Sequence, residues 1–172
     1  SGATLSWKRT RAATEAAHGV RLFFLERASE RPRSATTAEA PISSMDHVVV
    51  ATPDPERAAA LYGARLGLDM ALDRSHPDWG RLMFFRCGDL IVEVTHRPGN
   101  ETDTSQDKLQ DRLRGLCWRV ADIDATHARL TEAGVDVSEV RTGRKPGTRV
   151  MTVRSGTCGV PTLLVQPSTG KP

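Results

Sequence analysis

From residue 45 onward the period of the apolar positions changes in a fixed order, and the order runs twice. In the first copy, residues 47–51 (His-Val-Val-Val-Ala) have strand character, and Asp54-Pro55 then opens a helix. The aspartate can accept the orphan amide protons of the first turn, and a proline there has no amide to lose. Ala58, Leu61, Tyr62 and Leu66 recur at helical spacing, and Gly67 stands where a left-handed residue would close the helix. Strand-like stretches follow at 68–73, 81–86 and 89–95, with Cys87-Gly88 predicting a tight turn between the last two. The second copy reads as strand 116–120, a helix over about 122–133 closed by Gly134, then strands 135–141, 148–154 and 160–166.

Short strings confirm the duplication. Gly67-Leu68-Asp69-Met70 through Arg74 pairs with Gly134-Val135-Asp136-Val137 through Arg141, and Arg81-Leu82-Met83 through Arg86 pairs with Arg149-Val150-Met151 through Arg154. The helix-opening aspartates Asp54 and Asp122 keep the same spacing, an offset of 67 or 68 residues. Each copy is therefore a βαβββ unit. One such unit leaves a sheet face bare and two edges unpaired, so two units side by side are the natural closure. The expected fold class is α+β, with two tandem βαβββ modules, 45–98 and 113–168, forming a curved mixed sheet around a cup within one domain, 45–168.

Upstream, residues 5–10 and 20–27 read as a strand hairpin, the second strand carrying Leu22-Phe23-Phe24-Leu25. Residues 28–44 hold almost no large apolar side chain and two prolines, and are expected to be a linker, with 169–172 a tail. Ser1-Gly2-Ala3-Thr4 carries no signal pattern.

Composition narrows the partners. With 38% hydrophobic and 26% charged residues and only short apolar runs, no span of the bilayer is expected. The net charge of +3 is spread among 21 acids, with one Tyr and no basic stripe, so a nucleic-acid partner is not expected. Cys87, Cys117 and Cys158 have no metal-like spacing and are expected to be reduced thiols in a cytoplasmic protein.

Met45-Asp46-His47-Val48-Val49-Val50, then Ala60-Leu61-Tyr62 and Leu66-Gly67-Leu68, resembles the opening of a vicinal-oxygen-chelate module, the glyoxalase, bleomycin-resistance and extradiol-dioxygenase superfamily. Leu90-Ile91-Val92-Glu93-Val94 resembles its closing strand, and the hairpin at 1–27 looks like the closing strands of a preceding module. The resemblance implies a small-molecule ligand in the cup and a divalent metal held by the first and last strands of each module, which would be His47 and Glu93 in the first. At the matching places of the second copy stand Gly115 and Leu163, which bind no metal. A zinc, nickel, manganese or iron ion is thus not expected to be held tightly in a single chain. A homodimer pairing two first modules would instead present four ligands.

Strand alternation supplies a physical check. His47, Val49 and Ala51 share one face of their strand, and Ile91 and Glu93 share one face of theirs, leaving Val48, Val50, Leu90, Val92 and Val94 for the core. A carboxylate inside Leu-Ile-Val-Glu-Val must reach water in a cup or find a partner, which marks Glu93 as the candidate catalytic group. The same parity turns Cys117 and Arg119 toward the cup and Trp118 under a helix. Arg119 offers paired donors to an anionic ligand, with a salt bridge to an acid as the other reading. Arg144 and Lys145, in a glycine-flanked basic loop, could close over an anion. Trp79 is expected to cap the core.

The expected function is binding of a small anionic organic molecule. It is paired with isomerase- or lyase-type proton transfer next to a carbonyl, assisted by a metal or by Glu93. The alternatives are a ligand-sequestering protein of the bleomycin-resistance type and an assembly domain of a longer polypeptide.

Overall fold

Among the described residues an aspartate opens each of the two α-helices. Asp54 accepts the amide proton of Arg57 at 2.9 Å, and Asp122 accepts those of Asp124 and Ala125 at 2.9 and 3.0 Å. The computed structural model describes residues 6–27, 42–97 and 109–168, so most of the expected linker and the tail lie outside the described residues. The elements are β1 (Trp7–Arg11), β2 (Phe23–Arg27), β3 (Ser44–Ala51), α1 (Pro55–Ala59), β4 (Asp69–His76), β5 (Gly80–Cys87), β6 (Leu90–His96), β7 (Arg112–Arg119), α2 (Ile123–Glu132), β8 (Arg141–Thr142), β9 (Arg149–Val153) and β10 (Thr162–Gln166). Two of them, β1 and β2, form a separate two-stranded sheet. The rest of the strands make one eight-stranded mixed sheet in the order β4-β5-β6-β3-β7-β10-β9-β8.

That order is a palindrome of two βαβββ units meeting at β3 and β7. The seam is antiparallel, with His47 opposite Cys117, Val48 opposite Leu116 and Val49 opposite Gly115. Adding 68 to each member of the first pair gives Gly115 and residue 185, which is beyond the chain, but adding 68 to His47 and subtracting 68 from Cys117 returns Val49 and Gly115, the third pair. The seam thus has a local twofold at Val48 and Leu116, in agreement with the offset of the sequence repeat. The register slips once on each side of it, first between Met45 and His47 and then between Val49 and Val50. The extra residues at these slips are Asp46 and Arg114, again 68 apart. Each copy therefore carries a β-bulge at the same place of the seam, and the first has a further register shift between Met70 and Leu72, where β4 pairs with β5.

Two helix ends match their glycines, Gly67 at φ +66° and Gly134 at φ +73°. Between Ala60 and Arg65 the first helix widens into π-helical turns, in which the amide of Leu66 reaches back five residues to the carbonyl of Leu61. The strand expected at 135–141 is shorter than its pattern. It is reduced to β8 and an isolated bridge between Val137 and Val153. Ser138 causes the break, since its hydroxyl accepts the Thr152 amide proton at 2.9 Å, taking the place of a ladder carbonyl.

Alternation decides what each sheet face buries. Val50, Val92, Val94, Met83 and Phe85 pack under the first helix against Ala58, Leu61 and Tyr62, with Val20 of the N-terminal segment joining them. Under α2 the set is Val120, Ile123, Met151 and Leu164, with Trp118 packed against it. Trp118 is therefore on the helix side, as its parity requires. The connection between β1 and β2 docks on the first module, with Ala17 and Val20 buried and the Asp111 amide donating to the His18 carbonyl at 2.7 Å. Among the described residues no helix is long and apolar enough to cross a membrane.

At Gly115 the seam presses against β10. A Cβ there would stand 2.9 Å from the Pro161 carbonyl oxygen, which also accepts the Leu116 amide proton. Gly115→Ala is expected to destabilise the domain by about 1–3 kcal/mol through this overpacking. Phe85→Ala, which empties the fully buried ring beside Tyr62, is expected to lose about 3–5 kcal/mol. Denaturant midpoints of the two variants check both, and an unchanged midpoint for either contradicts the packing described.

Candidate functional site

The concave face is polar over the first module. Glu93 on β6 lies beside β3, where its Cα neighbour is Val49, and its carboxylate approaches His47 Nε2 to 3.4 Å. The other ring nitrogen, Nδ1, meets Asp46 Oδ2 at 2.8 Å. Asp46 Oδ1 accepts from Nε of Arg119 at 2.5 Å, across the seam. A continuous chain of contacts, Arg119–Asp46–His47–Glu93, therefore runs along the floor of the cup and joins the two modules.

Electrostatics fixes the protons along this chain. The hydrogen bond from His47, with help from Arg119 and against the effect of burial, lowers the Asp46 pKa to about 2. An ionised carboxylate only accepts, so His47 Nδ1 is the donor in the 2.8 Å contact. Nε2 then turns toward Glu93. Burial is the main influence on Glu93 and pushes its carboxyl above the usual range, Asp46 adds to this, and His47 and Arg144 oppose it. With only 17% of its side chain exposed, Glu93 is a carboxyl poised to hold or release a proton.

The second module's half of the concave side is different. Cys117 is fully buried with Val150, Val165 and Leu163, and burial together with the charges of Asp46 and Glu93 pushes its thiol up to about 12. It is thus a packing residue with a protonated thiol and does not open to a ligand. The guanidinium of Arg119 is engaged by Asp46, so of its two sequence readings the salt bridge is the one that forms. Arg144 stands over the Trp79 ring at 5.9 Å, and its charge reaches Glu93. Lys145 is exposed in the same loop, where its carbonyl accepts from Thr148. Trp79 does not cap a core; its half-buried ring stacks on His76 at 4.9 Å on one hand and lies under the Arg144 guanidinium on the other.

A divalent metal finds an incomplete set of donors here. Two donors on one zinc-like ion stand about 3.0–3.5 Å apart, so the His47–Glu93 pair has a suitable bite. The shell ends there. Glu93 is matched in β10 by Leu163, since each pairs with the symmetry-related residue of the neighbouring strand, Val49 and Cys117. Gly115 leaves no room for a side chain. Asp46, His47 and Cys117 have ligand atoms within 4.8 Å of one another, yet the Asp46 oxygens are taken by His47 and Arg119, and the fully buried thiol is held protonated. These residues do not fit the metal that the fold family suggests.

Asp46 was not legible as a site residue. Strict alternation from His47 puts it on the helix side, and only the bulge turns it toward the cup. A carboxylate directly before the histidine was the available signal.

Comparisons with known proteins agree with this architecture. Residues 46–152 match the Glyoxalase/Bleomycin resistance protein/Dioxygenase superfamily. The chain is 31% identical over 100 residues to the ethylmalonyl-CoA/methylmalonyl-CoA epimerase of Cereibacter sphaeroides, an alignment covering 56% of this chain and 75% of that protein. Its fold resembles the methylmalonyl-CoA epimerase of Mycobacterium tuberculosis, with a TM-score of 0.62 at 23% identity over 77% of this chain and 93% of the other. It also resembles the Streptomyces coelicolor methylmalonyl-CoA epimerase in complex with 2-nitronate-propionyl-CoA, with a TM-score of 0.58 at 22% identity over 75% and 99% of the two chains. The doubled βαβββ sheet and the match over most of it show that the chain belongs to the glyoxalase/bleomycin resistance protein/dioxygenase superfamily.

Proposed function

We propose that this domain is an isomerase that moves a proton on the carbon next to the carbonyl of a carboxylate-bearing acyl thioester. The observation that carries the reading is Glu93, a carboxyl on the concave face whose pKa burial raises and whose oxygen lies 3.4 Å from an imidazole nitrogen. Kinship with an ethylmalonyl-CoA/methylmalonyl-CoA epimerase supports isomerisation over the lyase chemistry that the sequence also allowed.

In the proposed step the Glu93 carboxylate takes the proton from the acidic carbon. The C–H electron pair moves toward the carbonyl, whose oxygen gains negative charge. Water then delivers a proton to the opposite face of the carbon, inverting it, and Glu93 passes the proton it took to the resulting hydroxide, which restores both water and the carboxylate. Arg144, at the rim with its charge felt by Glu93, serves as the handle for the substrate's anionic group, and Lys145 in the same exposed loop adds to the attraction. Burial helps because a desolvated carboxylate is a stronger base toward carbon than one in water.

Ligand sequestration without chemistry is the second reading, favoured by the apolar Leu163 and the closed Gly115 where the family places ligands. One experiment separates the two. In D2O the wild type is expected to wash deuterium into the acidic carbon of methylmalonyl-CoA or ethylmalonyl-CoA, followed by mass spectrometry. Glu93→Gln is expected to slow that exchange by about 10²–10⁴-fold while binding changes little. Tight binding without exchange in the wild type would establish the sequestering protein instead.

The pH dependence carries a sign. The reacting form is the carboxylate and its pKa is raised, so the acidic limb of the exchange rate is expected at higher pH than for an ordinary glutamate. Arg144→Gln removes a charge that favours the carboxylate and is expected to move that limb higher still. A limb that shifts to lower pH in Arg144→Gln contradicts the placement of Arg144 near Glu93.

A further inference from the structure

We propose that Asp46 is the positioning residue of this cup: by binding Arg119 and His47 Nδ1 at once, it directs His47 Nε2 at Glu93 in place of a metal ion. The inference rests on the reading of Glu93 as proton carrier for its catalytic consequence. Its geometric content is measured without any substrate.

Three observations carry it. First, Asp46 is the extra residue of the β3 bulge, opposite no residue of β7, and the bulge brings two successive side chains, Asp46 and His47, to the same site. The equivalent bulge residue of the second copy is Arg114, exposed and on no such contact path, so the arrangement is peculiar to the first module. Second, both Asp46 oxygens are used, one by Arg119 Nε at 2.5 Å and the other by His47 Nδ1 at 2.8 Å. A carboxylate held from both ends cannot swing, and neither can an imidazole hydrogen-bonded to it. Third, the partners that would complete a metal shell are missing at Gly115 and Leu163, while Arg119 places a fixed positive charge beside the same floor. A cation arriving between His47 and Glu93 would meet two donors and a neighbouring guanidinium, which is a poor exchange for its hydration shell.

Carboxylate–histidine pairs in metal sites fix the ring in the same way, with the metal on the far nitrogen. Here the far nitrogen faces Glu93 Oε2 at 3.4 Å. Once Glu93 has taken the substrate proton, its carboxyl O–H can therefore donate to His47 Nε2, provided that the ring proton is on Nδ1.

Nitrogen-15 NMR of the histidine rings in the full chain tests the geometry. Wild-type His47, identified by its loss in His47→Gln, is expected at neutral pH with Nδ1 protonated. In Asp46→Asn the amide no longer attracts that proton as a carboxylate does, and the ring is expected to shift to the commoner tautomer with the proton on Nε2. Asp46→Ser serves as the second variant in case the first does not fold, and is expected to shift likewise. In the exchange assay both variants are expected to lose about 10–100-fold in kcat with KM within about 3-fold, the pattern of a lost orienting contact. A purely structural role would lower the melting temperature and leave the tautomer as it is.

Calorimetry with Zn2+, Ni2+ or Mn2+ on chelator-treated wild type, with sizing alongside, is expected to show no stoichiometric binding to the monomer. The inference is overturned by a wild-type His47 with its proton on Nε2, by an unchanged tautomer in both Asp46 variants, or by a stoichiometric metal that His47→Gln abolishes. Failure of the wild type to exchange deuterium counts against the proposed reaction alone, and the tautomer still decides the positioning role.

Discussion

The antiparallel pairing of β3 with β7 is the contact on which the site depends. Asp46 and His47 lie on one strand of that pair, Arg119 and Gly115 on the other, and Glu93 on the strand hydrogen-bonded to β3 from the far side. A slip of one residue along the seam would reverse the faces, putting Val48 in the cup and His47 under the helix. Two features hold the register. The helix-side residues of both modules are strongly apolar, so a slip would expose them, and the paired bulges at Asp46 and Arg114 admit only one alignment.

The duplicated frame carries unequal chemistry. Over the first module the concave face holds Asp46, His47 and Glu93, while the corresponding part of the second packs Cys117, Val150, Leu163 and Val165. Leu163 stands where symmetry would put a second Glu93, and Gly115 lies so close to Pro161 that a side chain there has no space. The second module therefore supplies a wall, one guanidinium on the floor and one at the rim, and leaves acid–base groups to the first. A family frame that can hold metal ligands in both halves has here kept polar groups in one.

Charge at the floor is arranged so that each buried group has a partner. Asp46 is held ionised by two donors, and its charge in turn keeps the proton of His47 on the near nitrogen. The same negative charge disfavours ionisation of Glu93 and of the Cys117 thiol. For both groups burial is the larger cause, and the Asp46 carboxylate adds to it.

The sequence by itself determined the repeat, and with it the fold. The offset between Gly67 and Gly134 and between Asp54 and Asp122 is local information, since caps and left-handed glycines are dictated by short-range backbone chemistry. Alternation likewise put Trp118 on the helix side and His47 and Glu93 each on the cup side of its strand. The tertiary structure alone decided the rest. Asp46 enters the site through a bulge, which breaks the alternation that a sequence reading must assume. The seven-residue strand expected at 135–141 gave way to a two-residue β8 because the Ser138 hydroxyl competes for a ladder amide. Trp79 and Arg144 meet at the rim although 65 positions apart, in loops whose sequence says only that they turn. Whether Cys117 was open or sealed depended on what Val150 and Val165 bring from other strands, and burial of that kind is a property of the assembled sheet, written in no single stretch of chain.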